Sequence, residues 1–391
     1  MKLGVDRFDP STLRGKRVAV LSHQAGLTSD LRRTVDIIPC NLIFGPEHGF
    51  WGVAQDMEGT SLENDAKSET PIVSLYEKHA EAADARALCE AKRKLWPDEN
   101  VMRDIDVLVV DLQDVGARYY TFANTMAYAM EVAKRTGTQV IVLDRPNPIN
   151  GVTIEGNLME SFFSFVGQFR IPVRHGMTIG ELARFYQLVD PKYFCDLEVV
   201  AMEGWSREMW WDATGVQWTA PSPNMPTLTT ATVYPGMCLV EATEQSEGRG
   251  TTTPFELFGA PDADPFVLAD RLNALGLPGV RFRPQYFKPT FQKCAGQRCG
   301  GVQIHVLDRN TFEPYRTGLW CIKALSELPS FEWRKKPYEY ETVGAINQLT
   351  GNARFKEIIE NGRDEDLIDW IESWREPDRE FMRMRASSLI Y

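Results

Sequence analysis

The sequence has no uninterrupted apolar stretch near the roughly 18 residues that a membrane-spanning helix needs, so a helical integral membrane protein is excluded. Its opening residues, MKLGVDRFDP, carry charge but no apolar signal core, and a cytoplasmic protein is expected. Positive charge is also scarce. Lys and Arg number 43 against 54 Asp and Glu, for a formal net charge of −11. A surface of that sign suits neither bulk nucleic acid nor an anionic membrane. It leaves room for a small anionic substrate gripped by individual arginines. Cysteine is sparse and odd in number: seven, at 40, 89, 195, 238, 294, 299 and 321. Only Cys294 and Cys299 are close, and no second pair completes a zinc pattern, so reduced thiols are expected. Four signatures of common chemistries are missing: G-x-G-x-x-G after the first strand, a P-loop, G-x-S-x-G, and a H-x-x-x-H pair among the five histidines. No cofactor and no metal is therefore expected. No feature specifies an oligomeric state.

What remains is material for more than one core. The 391 residues are 43% apolar and 25% charged, ordinary for a globular chain of two or three domains. Up to about residue 215, strand-like and helix-like stretches alternate. Arg17–Leu21, Leu42–Phe44, Asp106–Leu112, Gln139–Leu143 and Asp196–Ala201 read as strands, with Pro71–Tyr76 as a short strand or loop. Leu31–Ile38, Ala80–Leu95 and Thr121–Arg135 read as helices, and Thr178 three residues before Glu181 forms a capping box that explains Glu181 structurally. This pattern predicts an α/β fold: a mostly parallel sheet covered by helices on both faces over 1–225, and a less regular second part over 226–391 with a helical tail. Three prolines in 221–226 predict a stiff extended crossing between them. Further on, Phe266–Leu275 and Tyr315–Leu328 read as helices and Gly301–Leu307 as a strand. In the tail, Leu367, Trp370, Ile371 and Trp374 form a packing stripe at helical spacing.

The stretch Asn41–Gly52, NLIFGPEHGFWG, concentrates the chemistry. A buried strand stops at Gly45-Pro46, which places Glu47 and His48 at the rim where open α/β sheets bind ligands. Apolar and aromatic neighbours, Phe50 and Trp51 among them, suit a carboxylic acid that must hold its proton. Two further strand ends carry polar loops: Gln113, Asp114, Arg118, Tyr119 and Tyr120 after one, Asp144, Arg145 and Asn147 after the other. Three such loops on one sheet edge predict a shared cleft. A fourth polar cluster runs from Glu241 through Glu244, Glu247 and Arg249. The glycines flanking Arg249 let the backbone approach a ligand, and its guanidinium suits a carboxylate or phosphate. His48 and His175 each abut a glycine turn, where they bind a substrate hydroxyl or satisfy loop carbonyls. Asp111, Asp114, Asp144 and Glu47 are the residue types of a hard-metal site, although Asp111 lies within a strand.

Taken in order, the motifs Phe44–Gly49, Asp111–Thr121, Leu143–Pro148, His175–Glu181, Pro221–Pro226 and Ser246–Thr252 resemble the NamZ-type exo-β-N-acetylmuramidases, peptidoglycan hexosaminidases long catalogued as a domain of unknown function. The resemblance spans essentially the whole chain. It implies a Rossmann-like domain without a dinucleotide, a smaller second domain, and an interdomain cleft. The substrate it implies is carbohydrate: N-acetylmuramic acid at the non-reducing end of peptidoglycan fragments. The catalytic glutamate of the G-P-E-H-G loop maps to Glu47. Glycoside hydrolysis adds a second carboxylate or the substrate's own acetamido group, and Glu244, Glu247, Asp114 and Asp111 are the candidates. Tyr119, Tyr120 and Trp51 are suited to stacking on a pyranose, with Gln113, Asn147, His175 and Asn224 as further polar contacts. Arg118, Arg145 and Arg249 are suited to the lactyl carboxylate. A metal- or phosphate-dependent hydrolase using the strand-end aspartates, and a non-catalytic binder of cell-wall sugars, are the competing readings.

Overall fold

Strand β1 (Val18–Ser22) and strand β5 (Val107–Asp111) are buried at every position, and they form the centre of the molecule. A computed structural model describes residues 1–60, 63–76 and 85–391. Around the two central strands lie β2 (Leu42–Gly45), β3 (Glu63–Asn64), β4 (Pro71–Ser74), β6 (Gln139–Leu143) and β7 (Leu197–Val200). The seven pair in the order β3-β4-β2-β1-β5-β6-β7. Every contact is parallel except that of the short β3 with β4. Successive side chains on a strand point to opposite faces. Accordingly Val18, Val20, Ile43, Val109 and Ile141 enter one apolar core, while Ala19, Leu21, Phe44, Val110 and Val142 enter the other. Continuous Val/Ile/Leu runs are what a sheet covered on both faces requires.

Helices Phe122–Thr136 and Ile179–Val189 cover the second face. The expected capping box is present: Thr178 accepts from the Glu181 amide and Glu181 accepts from the Thr178 amide. The Leu31–Ile38 helix shrinks to Thr34–Ile37, because Leu31 sits at φ 65° and cannot continue a right-handed helix. The stretch expected as a helix over 80–95 is helical over Ala85–Lys92 and Arg93–Leu95, and 80–84 lie outside the described residues. The proline-rich 221–226 is a turn, closed by the Met225 amide on the Ser222 carbonyl at 3.1 Å, rather than an extended strut.

Beyond the turn, strands β8 (Leu257–Ala260), β9 (Val280–Phe287) and β10 (Cys299–Val306) form an antiparallel sheet in the order β8-β10-β9. The sequence pattern does not reveal β8 or β9; β9 holds a proline and charged side chains on its exposed positions. Helix Leu228–Met237, equally hidden because Pro235 and Gly236 sit inside it, crosses helix Pro314–Leu325 at Gly236 and Gly318. The chain ends in four helices over Ala345–Thr350, Arg354–Asn361, Asp364–Glu372 and Arg375–Arg385. The Leu367 stripe packs inward as expected, with Trp374 buried and Trp370 against Phe355 at 5.7 Å. Among the described residues, no helix is long and apolar enough to cross a membrane.

Candidate active site

Because β2, β5 and β6 are parallel members of one sheet, the loops after them emerge at one edge, as expected. Only the first two reach a common cavity. The chain turns sharply just past β2: the Gly49 amide donates to the Pro46 carbonyl at 3.0 Å, and His48 and Gly49 both take left-handed φ values of 70° and 74°. That reversal leaves the Glu47 carboxyl buried but lining a cavity to which both halves of the chain contribute. Its Oε2 accepts from the Thr121 hydroxyl at 2.6 Å. His48 Nδ1 lies 2.9 Å from the Ala54 carbonyl and therefore donates to it, which leaves Nε2 as an acceptor.

From the loop after β5, Tyr119 and Tyr120 form one wall. The Tyr119 hydroxyl donates to the Pro235 carbonyl, and burial pushes the Tyr120 phenol well above its ordinary value beside Ser222. Asn224, on the proline-rich turn, lines the same space and donates to Gln55 Oε1 at 2.7 Å. The second half of the chain closes the cavity with Tyr234, Glu241, Arg249, Tyr338 and Glu339.

Arg249 is the cationic centre. Its Nη2 lies 2.7 Å from Glu241 Oε1, its Nη1 3.1 Å from Glu247 Oε1, and its Nη1 3.5 Å from Asp56 Oδ2. Burial opposes the charge, but the three carboxylates more than offset it and hold the guanidinium well above its ordinary value. Tyr338 donates to Glu241 Oε2 at 2.7 Å, so both Glu241 oxygens are engaged; burial nevertheless raises that carboxyl. Glu247 behaves oppositely. Burial pushes it up, yet Lys293 at 2.9 Å and Arg249 hold it below the usual carboxylate range. Glu339 is held well above its ordinary value, first by burial and then by the charge of Glu47, while the Tyr76 hydroxyl donates to its Oε2 at 3.0 Å. Glu339 and Tyr340 adopt left-handed φ values of 44° and 67°, a strained backbone of the kind that clusters at functional sites.

Of the residues singled out in the sequence, Glu47, His48, Tyr119, Tyr120, Asn224 and Arg249 share this cavity. The others do not line it. Glu244 is exposed, its carboxyl accepting from the Lys335 amide at 3.2 Å. Glu247 stands behind Arg249. Asp114 is turned to His175, whose Nε2 is 3.4 Å away, and to the Gly116 amide at 2.6 Å. Trp51 packs on Phe50, with the Arg33 guanidinium 5.3 Å over its ring. Arg118 donates to the carbonyls of Asn157 and Ile171 at 2.8 Å and of Leu349 at 2.7 Å, a buried tie between segments. Arg145 forks onto Asp111 and reaches the Leu27 carbonyl at 2.7 Å. Gln113 donates to the Pro146 carbonyl and Asn147 to the Met177 carbonyl, each at 3.0 Å. Asp144 accepts from Thr178, the Gly180 amide and Tyr391, and burial raises its carboxyl to about 7. The strand-end aspartates therefore hold loops and do not converge. Among the described residues no group of three or more His, Cys, Asp or Glu is placed to hold a metal ion.

Sequence reasoning passes over Asp56, Thr121, Glu241 and Glu339. Glu241 stands in the fourth polar cluster, but its neighbours there are the more conspicuous carboxylates. A short 3-10 helix, Cys238–Ala242, turns it inward, and the extended Thr243 then sends Glu244 to the surface.

A mostly parallel sheet and an acid-lined cavity shared by both halves of the chain, with Arg249 among the carboxyls, fit an enzyme of the glycosidase type. The chain belongs to the NamZ exo-β-N-acetylmuramidase family: the family's N-terminal model matches residues 18–229 and its C-terminal model residues 232–391. It is 41% identical over 404 residues to the peptidoglycan β-N-acetylmuramidase NamZ of Bacillus subtilis strain 168, covering 100% of this chain and 91% of the relative. Two crystal structures of DUF1343 family proteins from Bacteroides fragilis NCTC 9343 share the fold. One has a TM-score of 0.83 at 31% identity, the other 0.74 at 26%, each covering 100% of this chain and 98% of its own.

Proposed function

We propose that the protein is an exo-β-N-acetylmuramidase that releases N-acetylmuramic acid from the non-reducing ends of peptidoglycan fragments. Glu47 protonates the departing glycosidic oxygen. One observation carries this reading beyond family membership: Glu47 and Arg249, from opposite halves of the chain, line the same cavity. This shared lining supports a carboxyl that acts at the scissile bond and a guanidinium that receives the acid arm distinguishing muramic acid from glucosamine. Neither Arg118 nor Arg145 lines the cavity, so Arg249 is the receptor for the carboxylate. Such a charge-assisted contact contributes about 1.5–3 kcal/mol, enough to set the preference.

Glu47 and Glu339 act as a pair. Burial and then the charge of Glu47 hold the Glu339 carboxyl well above its ordinary value, which supports a proton-bearing group beside Glu47 in the cavity. Glu241, held by Arg249 and Tyr338, is the remaining cavity glutamate and the one assigned to the opposite side of the sugar. Tyr120 offers its ring to the pyranose. The two halves, 1–225 and 226–391, form the sheet domain and the smaller domain that contributes to the cleft. All seven cysteines are free thiols, which suits a reducing, cytoplasmic setting.

Replacing Glu47 by Gln tests the assignment. Turnover of a chromogenic N-acetylmuramide falls by about 10²–10⁴-fold, the range for loss of a general acid, while calorimetric binding of N-acetylmuramic acid persists. Unchanged turnover removes Glu47 from this role. Proton NMR of the fresh product gives the stereochemistry in the same series.

A further inference from the structure

The cavity between Glu47 and Arg249 has room for only about 30 Å³, whereas sites for organic ligands start at about 300 Å³. A sugar therefore needs the lining to give way somewhere. The segment from Pro46 to Thr60 lends it Glu47, His48 and Asp56. It carries Glu47 and His48 at its start and is fastened further along by side chains from other parts of the chain. Asn224 holds Gln55, Gln292 donates to Asp56, and Arg334 Nη2 lies 3.1 Å from the Met57 sulfur.

The fastening at Arg249 is of a particular kind. Glu241 and Glu247 lie within eight residues of Arg249 in sequence and contact it at hydrogen-bonding distance. Asp56 comes from the other half of the chain and stands off at 3.5 Å, the loosest of the three partners. It is ionised at neutral pH: burial pushes its carboxyl up, but the Arg249 charge and the Gln292 bond together hold it below its ordinary value. Arg249 Nε, buried, makes no hydrogen bond. The guanidinium thus has two fixed partners, one exchangeable partner and one donor still to give.

We propose that Asp56 is a stand-in ligand: before substrate binds, its carboxylate occupies the face of Arg249 that the substrate's carboxylate takes, and the Gln55–Met57 stretch moves aside as the acid arm binds, while the Thr121 hydroxyl keeps Glu47 in place. This rests on Arg249 being the receptor for that arm. The exchange is like for like, one carboxylate for another, so the charge around Arg249 is the same before and after binding. The substrate releases the latch by replacing it.

The test is a double-mutant cycle on the full chain, read as the Kd of free N-acetylmuramic acid by calorimetry, with N-acetylglucosamine as the reference sugar. Asp56→Asn keeps the shape and removes the charge. If Asp56 holds Arg249 nine-tenths of the time, Asp56→Asn tightens N-acetylmuramic acid by about tenfold, since apparent affinity scales with the competent fraction. In an Arg249→Gln background the same change has no effect, because nothing is left to compete for. Tightening of equal size in both backgrounds shows a merely loosened loop and overturns the proposal. So does unchanged or weaker binding by Asp56→Asn while Arg249→Gln costs the preference over N-acetylglucosamine; the reading of Arg249 then still stands. If Arg249→Gln leaves that preference intact, the reading of Arg249 falls, and this inference falls with it. Thermal melts accompany each variant. Asp56→Ser and the charge-keeping Arg249→Lys replace any that does not fold.

Discussion

At the scale of single residues, the same side-chain types do opposite work according to where their donors and acceptors end. Arg118, Arg145 and Arg249 all stand in polar loops. Two of them are spent on carbonyls or on one buried aspartate, and only the third faces the cavity. Asp144 shows the same for acids. Its folded value of about 7 lies above its ordinary 3.8 because it is buried, so the folded state holds a proton there that the unfolded chain has lost. Its stabilising contribution is full below about pH 4 and disappears as pH rises to about 7. The wild-type melting temperature should therefore fall between pH 5 and pH 8 relative to Asp144→Asn, whose amide cannot ionise. Differential scanning calorimetry across that range checks it, and parallel curves would rule it out. Glu155, also raised to about 7 by burial, leaves a residual slope in both proteins.

The site is legible in part at this scale. Glu47 and His48 stand out because a buried strand ends in a glycine-proline turn, and Arg249 because glycines flank it. Asp56 and Glu339 give no such signal. They lie in irregular segments, and what they face is decided by packing between distant parts of the chain, 236 residues apart for Asp56 and Gln292 and 263 for Glu339 and Tyr76. Local pattern carries no information about that.

At the scale of elements, apolar runs predict every buried parallel strand of the large sheet, because a strand covered on both faces must be apolar throughout. They fail where an element is half exposed, as in β9, or is built around proline and glycine, as in Leu228–Met237. That last helix is made for close approach rather than for propensity. A Cβ on Gly236 would strike the Pro314 carbonyl, and one on Gly318 would strike the Gly236 backbone. Gly318→Ala should cost about 1–3 kcal/mol, the range for overpacking. Because Tyr234 and the Pro235 carbonyl that anchors Tyr119 ride on the same helix, kcat/KM for the muramide should drop as well. Urea titration and steady-state kinetics on one preparation measure both; a variant with native stability would show that the crossing has slack.

At the scale of the whole molecule, neither half holds a complete site. Glu47, Thr121 and Tyr120 come from the first half of the chain, and Glu241, Arg249 and Glu339 from the second. Residues 1–225 produced alone should neither turn over the muramide nor bind N-acetylmuramic acid by calorimetry. Activity in that fragment would mean that the second half is dispensable. Composition and motif order announce two parts with a cleft between them. How tightly that cleft is shut is not legible, because closure depends on the tertiary meeting of Asp56 with Arg249.

Residues 385–391 return to the sheet domain. Arg385 donates to the carbonyls of His175 and Gly176 at 3.0 and 2.9 Å, the Ile390 amide to Glu181 at 2.9 Å, and Tyr391 to Asp144 at 2.7 Å. During synthesis the helix capped by Thr178 is therefore finished off by residues made some two hundred positions later. While those residues are still inside the ribosome, the nascent sheet domain has to wait with its buried acids uncovered, so its maturation cannot be completed in strict N-to-C order.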